Sequence, residues 1–488
     1  MVSVEDALLL CGWGRFHLTL LLLCGLAIVV EAINGMGLSL LLPSVACDLN
    51  LSTSDKGLIS TLNSVGALIG SAFSGPFADH WGRRRVVLVL SFINAFTIFS
   101  CSFSQNKYFF VLCQFLVGMA NGGVIPVIYV YYTEWQHKAK RGTMINVLSV
   151  SWKLGNIVCA ALAWLVIPRS TFSFSIGDIM FHSWRIFVSL TSLPSLICAI
   201  GLIFMPDSPR FLLSKCKEED AMDIILKIHS WNKQPSPLNI DCVRLGDSGI
   251  SRSNPDNESG LNRFLYQCKE IKSLFRAPLL KRSIAMTVIM FFPMFAFFGI
   301  FMWFPDILNR LENSGNIDSG FCGFSATRNT TAVQDCKPPD GWVFKNILIA
   351  SVATLPAYVI TIGLVDRVGR KVLLMSSMLL HGVILVFMAM SDSFWQVLVL
   401  FILLFLDCVV SFSMGETLVT ELYPTHIRST ATGVFKQAFR LGSLVGLILV
   451  SAAIDTNCEL VLTLVGASVS AAAFVCLLLP NTTGTEIH

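Results

Sequence analysis

The sequence predicts an all-α membrane protein with about twelve transmembrane helices in two pseudo-symmetric six-helix bundles. Three observations predict it: the apolar composition, apolar runs of spanning length, and an internal repeat. The chain of 488 residues is 54% hydrophobic and 14% charged, whereas an ordinary soluble protein has about 25% charged residues. A helix needs roughly 20 apolar residues to cross a hydrocarbon core of about 30 Å, and the chain contains many runs of that length.

The repeat joins two clusters of charged residues and glycine that lie 287 positions apart, as from Asp79 to Asp366. Each member in the first half has a counterpart in the second at this same offset. The first set is Asp79, Gly82, Arg83, Glu134 and Arg141, and the second is Asp366, Gly369, Arg370, Glu421 and Arg428. Parallel repeats in a protein with many spans are typical of secondary transporters.

The apolar runs predict six spans in each half, with boundaries uncertain by two to four residues. In the first half they cover 18–43, 57–79, 86–104, 109–133, 144–167 and 184–205. In the second half they cover 283–304, 344–365, 371–390, 395–420, 430–453 and 459–479. The predicted domains are therefore a bundle at 1–205, a linker at 206–282 and a bundle at 283–488 with a long loop at 305–343.

The linker is polar, with an amphipathic pattern at each end. EEDAMDIILKIHSW spaces Ala221, Ile224, Ile225 and Ile228 on one helical face, and RFLYQCKEIKSLFR repeats the pattern. Between them lie segments rich in Pro, Ser, Gly and Asn, which are typical of a flexible tether. The two helices are expected to lie against the bundles, and a membrane-surface anchor is the alternative.

Positive charge predicts the orientation. Arg and Lys cluster between spans 2 and 3, 4 and 5, and 8 and 9, whereas the loops 391–394 and 454–458 contain none. The positive-inside rule makes the basic side cytoplasmic, and both termini with it. No cleavable signal peptide is evident, because the first apolar run is of spanning length. The net charge of +4 reflects this asymmetry and does not predict nucleic-acid binding.

The loop 305–343 is expected on the opposite, non-cytoplasmic side. It contains the glycosylation acceptor Asn329 together with Cys322 and Cys336. An oxidising compartment allows these two cysteines to form a disulfide, and two free thiols are the alternative, since sequence alone does not fix pairing.

The repeated clusters suggest latches. A carboxylate one turn before a Gly-Arg pair at a helix end can accept hydrogen bonds from the Arg, while Gly lets the backbones approach. Glu134 with Arg141, and Glu421 with Arg428, are expected to pair across tight turns in the same way. Ordinary solvated loop charges are the alternative.

Ionisable residues inside predicted spans are expensive and mark candidate functional sites, and four of them form two candidate pairs. Glu31 and Lys153 are expected to neutralise each other in the first half, as are Glu416 and Arg440 in the second. Phe297 and Phe298 could supply apolar walls for a ring-bearing solute. Structural ion pairs without a ligand are the alternative. Asp407, His381 and Tyr129 are expected to make helix–helix contacts.

Several segments resemble the major facilitator superfamily. GPFADHWGRRR and GLVDRVGRK resemble its loop signature, and MPDSPRFLL resembles its sugar and organic-ion porter branch. From about residue 18 to 483 the chain is similar to the synaptic vesicle glycoprotein 2 family, through LAWLVIP, SFSIGDIMFHSWRIFV, FFGIFMWFPDIL, VTELYPTHIRSTATG and LLLPNTTG. The long charged N-terminal tail and the large lumenal domain of that family are missing.

The resemblance implies a ligand pocket lined by charged and aromatic residues. The family has an acid at the positions of Glu31 and Glu416, a Trp at the position of Trp164 and a Lys at the position of Arg440. This chain departs from the family at two positions: Asn34 replaces a second acid, and Phe412 replaces a Trp.

The sequence therefore predicts a secondary active or facilitative transporter of a small polar or zwitterionic solute, with protons as the candidate coupling ion. Phosphate-loop, dinucleotide-binding and hydrolase motifs are absent from the sequence, so no cofactor and no enzyme activity are expected. The resemblance places it in the plasma membrane or a secretory or synaptic vesicle membrane. A non-transporting vesicle protein with a binding or trafficking role is the alternative.

The predicted topology can be tested by glycosylation. We expect glycan at Asn329 and none at Asn257 or Asn481, because glycan is added only on the non-cytoplasmic side. Glycosidase treatment of the protein from membranes should lower its mass. Asn50, in Asn50-Leu51-Ser52, is a second acceptor on the same side. A mass shift that survives replacement of both Asn329 and Asn50 by Gln would contradict the orientation.

Overall fold

The computed structural model describes residues 2–136, 141–169, 173–176, 179–232, 243–244, 269–313, 320–323, 339–356, 368–423 and 427–480. Within these residues, eleven helices are long and apolar enough to cross a membrane. They coincide with eleven of the twelve predicted spans. The remaining span, 344–365, begins in an apolar helix that is described from Gly341 to Ala353, and its further course lies outside the described residues.

The first half of the chain contains nine helices within the described residues. They are α1 (Val4–Leu10), α2 (Arg15–Leu49), α3 (Thr53–Trp81), α4 (Arg83–Cys101), α5 (Lys107–Glu134), α6 (Arg141–Val166), α7 (Ser183–Ile203), α8 (Pro209–Ser214) and α9 (Glu218–Trp231). Six of them, α2 to α7, are the predicted spans.

The second half contains α10 (Leu280–Phe301), α11 (Phe304–Asn313), α12 (Gly341–Ala353), α13 (Arg370–Ala389), α14 (Phe394–Leu422), α15 (Arg428–Ala453) and α16 (Cys458–Ala473). A 3-10 turn at Phe474–Leu478 extends α16. Residues 269–274, the end of the predicted second linker helix, are also helical. Helix α11 follows the seventh span almost directly and occupies the start of the segment predicted as the loop 305–343.

Four short strands add to the predicted all-helical fold. β1 (Val2–Ser3) pairs in parallel with β4 (Val243–Arg244). β2 (Phe174–Ile176) and β3 (Ile179–Phe181) form an antiparallel hairpin between α6 and α7. They do not change the fold class.

The chain forms two compact units whose boundary does not follow the predicted domains. One unit contains residues 1–37, 65–162 and 169–256, and the other contains 38–64, 163–168 and 257–488. Helices α2, α3 and α6 therefore each pass from one unit to the other. We call the helix ends near the repeated clusters the motif side, and the opposite ends, near Leu49 and Thr53, the loop side.

The linker helix α9 packs against the start of the chain. Its residues Ala221, Ile225 and Ile228 are almost fully buried, as the amphipathic pattern predicts. The side chain of Asn232 accepts from the backbone N–H of Phe16 at 3.0 Å. Its amide also donates to carbonyls of the turn before α2. Helix α9 is thus held by contacts with other parts of the chain.

Glycines allow neighbouring spans to touch through their backbones. A Cβ added at Gly70 of α3 would lie 1.9 Å from the carbonyl oxygen of Met119 in α5. A Cβ at Gly446 of α15 would lie 1.9 Å from the carbonyl oxygen of Phe295 in α10. These glycines thus serve packing between helices inside the protein, as small residues do in membrane bundles.

Gly446→Ala should destabilise the protein, because its methyl group has no space against α10. Overpacking of this kind costs about 1–3 kcal/mol. The matched control is Gly433→Ala on the same helix, where nothing lies within 4 Å of the added Cβ. Thermal unfolding in detergent measures both, and equal melting temperatures would contradict the close packing.

Candidate transport site and gating ion pairs

The first repeated cluster forms a three-way ion pair on the motif side. The Nη2 of Arg83 lies 2.8 Å from Oδ1 of Asp79, and its Nε lies 3.1 Å from Oε1 of Glu134. The guanidinium also lies over the Phe211 ring, 5.4 Å from its centroid. Arg83 therefore ties the ends of α3 and α5 to the start of α4.

Gly82 makes this geometry possible. Its φ is +99°, a conformation that side chains other than Gly rarely adopt. A Cβ there would also approach the Phe211 ring to 3.0 Å. The adjacent Gly82 and Arg83 thus form a backbone turn that aims Arg83 at two carboxylates.

The second cluster repeats the arrangement. Gly369 has a φ of +88°, and Nε of Arg370 lies 3.0 Å from Oε1 of Glu421. Asp366 lies outside the described residues. Each repeated Glu therefore contacts the repeated Arg of the same half.

These contacts add a partner that sequence spacing did not suggest. Sequence spacing paired Glu134 with Arg141 and Glu421 with Arg428, and the structure joins Glu134 to Arg83 and Glu421 to Arg370. The ends of neighbouring spans meet in space although they are about fifty residues apart in sequence. The side chains of Arg141 and Arg428 lie outside the described part of the structure.

The next basic residue in each cluster caps the last helix of its half, which the sequence did not predict. Arg84 donates to the carbonyls of Leu202 and Ile203 at the end of α7, at 2.8 and 2.5 Å. In the second half, Lys371 donates to the carbonyls of Leu477 and Leu479. Cations are favourable at helix C-termini because the last carbonyls carry partial negative charge.

In the middle of the first half, α2 and α6 pack along their length, as predicted for the first and fifth spans. A Cβ on Gly155 would lie 2.7 Å from that of Ala32, and the Cys159 thiol donates to the carbonyl of Ile33. Lys153 is 1% exposed and Glu31 is partly buried. These contacts place both residues at the same depth of the bundle.

A chain of polar side chains lies close to this level. The amide of Asn34 donates to Asn94 at 3.4 Å, Asn94 donates to the hydroxyl of Ser195 at 3.2 Å, and Ser195 donates to the carbonyl of Ser91 at 3.0 Å. Three helices thus share one hydrogen-bonded network. Asn34 was a candidate, whereas Asn94 and Ser195 gave no sequence signal.

In the second half, Glu416 contacts a residue that sequence analysis did not select. Its Oε1 lies 3.0 Å from Nζ of Lys436, one turn before Arg440 on α15. The expected neighbours α14 and α15 are therefore joined by charge, with Lys436 in the position foreseen for Arg440.

Three of the four aromatic candidates, Phe297, Phe298 and Phe412, belong to one cluster in this half. Phe412 and Phe298 both contact Phe439, with ring centroids 5.3 and 6.2 Å away. Phe297 contacts Phe405 edge-on at 5.0 Å. Trp164 is 40% exposed, and a Cβ added at Gly341 would lie 3.7 Å from its Nε1.

The other polar candidates make the helix–helix contacts expected of them. Nδ1 of His381 on α13 lies 3.1 Å from Oδ2 of Asp407 on α14, and both are buried. The hydroxyl of Tyr129 on α5 lies 3.2 Å from that of Ser149 on α6.

A charge cluster on the loop side was missed. Nζ of Lys56 lies 2.5 Å from Oδ1 of Asp306, whose other oxygen lies 2.7 Å from Nε of Arg310. Nη1 of Arg310 also lies 2.7 Å from Oδ1 of Asp455. Sequence analysis assigned Asp306 and Arg310 to a loop, so the periodicity that pairs them on α11 was not used.

The disulfide prediction was wrong in its pairing. Cys322 is bonded to Cys458, which joins the segment after α11 to the first residue of α16. Cys336 and the acceptor Asn329 lie outside the described residues. Cys47, at the end of α2, is also disulfide-bonded.

Among the described residues outside the spans, Cys11 is a free thiol whose ionisation is shifted. Burial raises its pKa to about 11, so it stays a neutral thiol at physiological pH. Among the described residues, no group of His, Cys, Asp or Glu is arranged to hold a metal ion.

Comparison with known proteins decides the family. The sugar (and other) transporter family model matches residues 30–306, more than half of the chain, and the major facilitator superfamily model matches residues 341–486. The chain belongs to the sugar (and other) transporter family. This membership confirms the major facilitator fold and a transporter family rather than an enzyme family.

Relatives include the synaptic vesicle glycoproteins 2. Glycoprotein 2C of Rattus norvegicus is 32% identical over 319 residues, covering 62% of this chain and 44% of that protein. Glycoprotein 2B of Homo sapiens is 25% identical over 576 residues, covering 97% of this chain and 84% of that protein. The chain thus spans less than half of the rat protein in that match, and the resemblance to this family is confirmed.

Solved transporters share the fold. A D-xylose–proton symporter superposes with a TM-score of 0.66 at 16% identity, covering 97% of this chain and all of the other. The nucleoside transporter NupG superposes with a TM-score of 0.62 at 15% identity, covering 95% and 99%. The chain is therefore a multi-pass membrane protein of the major facilitator fold.

Arg83→Met should destabilise the protein strongly, because it leaves the carboxylates of Asp79 and Glu134 without their cation. Removing one partner of a buried pair costs about 3–5 kcal/mol. The matched control is Arg85→Met, whose side chain is 68% exposed and whose loss should change stability by about 0.5 kcal/mol or less. Thermal unfolding compares the two variants. Equal losses of stability would show that the ion pairs of Arg83 contribute no more than the exposed charge of Arg85.

Proposed function

We propose that the chain is a secondary active or facilitative transporter that moves a small polar or zwitterionic organic solute by alternating access. The observation that carries the proposal is the layer of polar and ionisable side chains in the middle of the first half, around Glu31, Lys153 and the Asn34–Asn94–Ser195 network. A bilayer protein keeps such groups at this depth where a solute or ion must be bound, because each is costly to bury.

The residues divide into two proposed roles. One group would contact the solute, or would neutralise the charge of residues that contact it. This group consists of Glu31, Asn34 and Lys153 in the first half, of Glu416 and Arg440 in the second half, and of the aromatic residues Phe297, Phe298, Phe412 and Trp164. The repeated Arg–carboxylate pairs would act as latches that hold the motif side closed and separate when it opens.

A mixture of acids and bases favours a neutral or zwitterionic solute over a strongly charged one, because an ion would leave one buried partner uncompensated. Protons are the proposed coupling ion, since a mid-membrane carboxylate can lose its charge by protonation. The solved transporter of the same fold is a D-xylose–proton symporter, which supports this choice.

The proposal includes cytoplasmic termini and the domain division 1–205, 206–282 and 283–488. It includes residence in the plasma membrane or in a secretory or synaptic vesicle membrane, supported by the names of the relatives. The same names favour the second candidate, a vesicle protein that keeps the fold for binding or trafficking without transport.

Uptake by purified protein in liposomes separates these functions. A panel of radiolabelled sugars, nucleosides, amino acids and zwitterionic amines is offered with and without an inward proton gradient. We expect accumulation of at least one solute above empty liposomes. Binding to the protein without accumulation of any panel member would favour the second function.

Glu31→Gln should then abolish gradient-driven accumulation of that solute and spare solute exchange, because Gln cannot carry the proton. The matched control is Glu459→Gln, at an exposed first-turn position of α16, which should transport normally. If Glu31→Gln and Lys153→Met each unfold the protein while the double variant transports normally, the pair is structural and proton coupling through Glu31 is wrong.

A further inference from the structure

The loop-side charge cluster joins three parts of the chain that are far apart in sequence. Lys56 comes from the first turn of α3, Asp306 and Arg310 from α11, and Asp455 follows α15. The exposed fractions of the four side chains lie between 4% and 21%. Within a site so shielded from water, the charges depend on each other for neutralisation.

Uncharged contacts also close the loop side around this charge cluster. A Cβ on Gly57 would lie 2.6 Å from that of Ser451, so α3 and α15 touch without a gap. The indole N–H of Trp303 donates to the hydroxyl of Ser451 at 3.2 Å. An Nη2 of Arg310 lies 3.4 Å from the hydroxyl of Thr53. The first turn of α3 is thus held against α11 and α15.

A covalent bond braces one side of this cluster. The disulfide from Cys322 to Cys458 links the segment after α11 to α16, three residues beyond Asp455. Asp455, the acid at this end of the cluster, therefore lies close to a covalent bond that restrains it. Lys56 is held to the cluster by charge and packing.

The charges form a chain in which either end residue can leave without stranding the two inner ones. Asp306 remains paired with Arg310 when Lys56 leaves, and Arg310 remains paired with Asp306 when Asp455 leaves. Separating Asp306 from Arg310 would instead break the pair between the two inner residues. The disulfide distinguishes the two ends, because it lies three residues from Asp455 whereas Lys56 lies on the first turn of α3 next to the loop.

We infer that the Lys56–Asp306 ion pair is the loop-side gate, which opens while the braced Arg310–Asp455 pair stays closed. This inference rests on the proposed function, because a gate on this side is needed only if the solute enters or leaves there. Lys56 and Asp306 are positioning residues: they set how often the loop side opens and do not contact the solute.

The experiment measures how often the loop side opens, and it requires no solute. Ser60 lies one turn behind Lys56, is 3% exposed and donates to the Lys56 carbonyl. Ser60→Cys provides a thiol that should react with a maleimide when the gate opens. The rate is followed by mass spectrometry of the Ser60 peptide in the full-length protein, so other cysteines do not interfere.

Lys56→Gln should raise this rate at least about tenfold, which corresponds to about 1.4 kcal/mol of lost closure. Lys56→Arg should keep the slow rate, because the charge is retained. Lys345→Gln is the control at an exposed lysine of α12 and should change nothing. Asp455→Asn should leave the rate within about threefold, since it acts on the braced side.

Two results would overturn the inference: an unchanged rate in Lys56→Gln, or a larger increase in Asp455→Asn than in Lys56→Gln. The melting temperatures of all variants identify any variant that merely unfolds. If Lys56→Gln unfolds, the labelling rate of Lys56→Arg decides, because fast labelling in that folded variant would also contradict the gate. If the labelling behaves as expected and liposomes accumulate no solute, the gate stands and the transport proposal fails.

Discussion

The structure depends on one constraint: a charge that leaves water in or beside a bilayer must be neutralised by a neighbour. Charged residues are few in this chain, and those within the described spans largely fall into local groups of opposite sign. Arg83 lies between two carboxylates, Glu416 beside Lys436, and Asp306 between Lys56 and Arg310. Each group fixes which helix ends are neighbours.

These groups differ in what holds them, and the difference suggests how the protein moves. The motif-side pairs are set by glycine turns with positive φ, which place Arg83 and Arg370 rigidly at the helix starts. The loop-side cluster combines a disulfide-braced half with a lysine held by charge and packing. A transporter needs contacts that are strong enough to close one side and that can still separate. An ion pair satisfies both requirements when one of its members has a second partner that neutralises it after the separation.

Sequence analysis predicted the fold because its signals are strong in membranes: apolar runs fix the spans and an exact repeat fixes their grouping. It also found Arg83, Glu134, Arg370 and Glu421, since these are duplicated. It did not find that Arg83 contacts Glu134 or that Arg370 contacts Glu421, because loop spacing does not report which distant helix ends meet. It also did not select Lys436, whose contact with Glu416 depends on the packing of α15 against α14.

The central claim is that the two sides open in alternation, and labelling one side while perturbing the other tests it most directly. In Ser60→Cys with Lys56→Gln the loop side should label quickly. Adding Glu134→Gln, which weakens the motif-side pair, should favour the state open to that side and so slow labelling of Ser60→Cys severalfold. If the two changes leave the fast rate unaltered in a folded protein, the sides open independently and alternating access is contradicted.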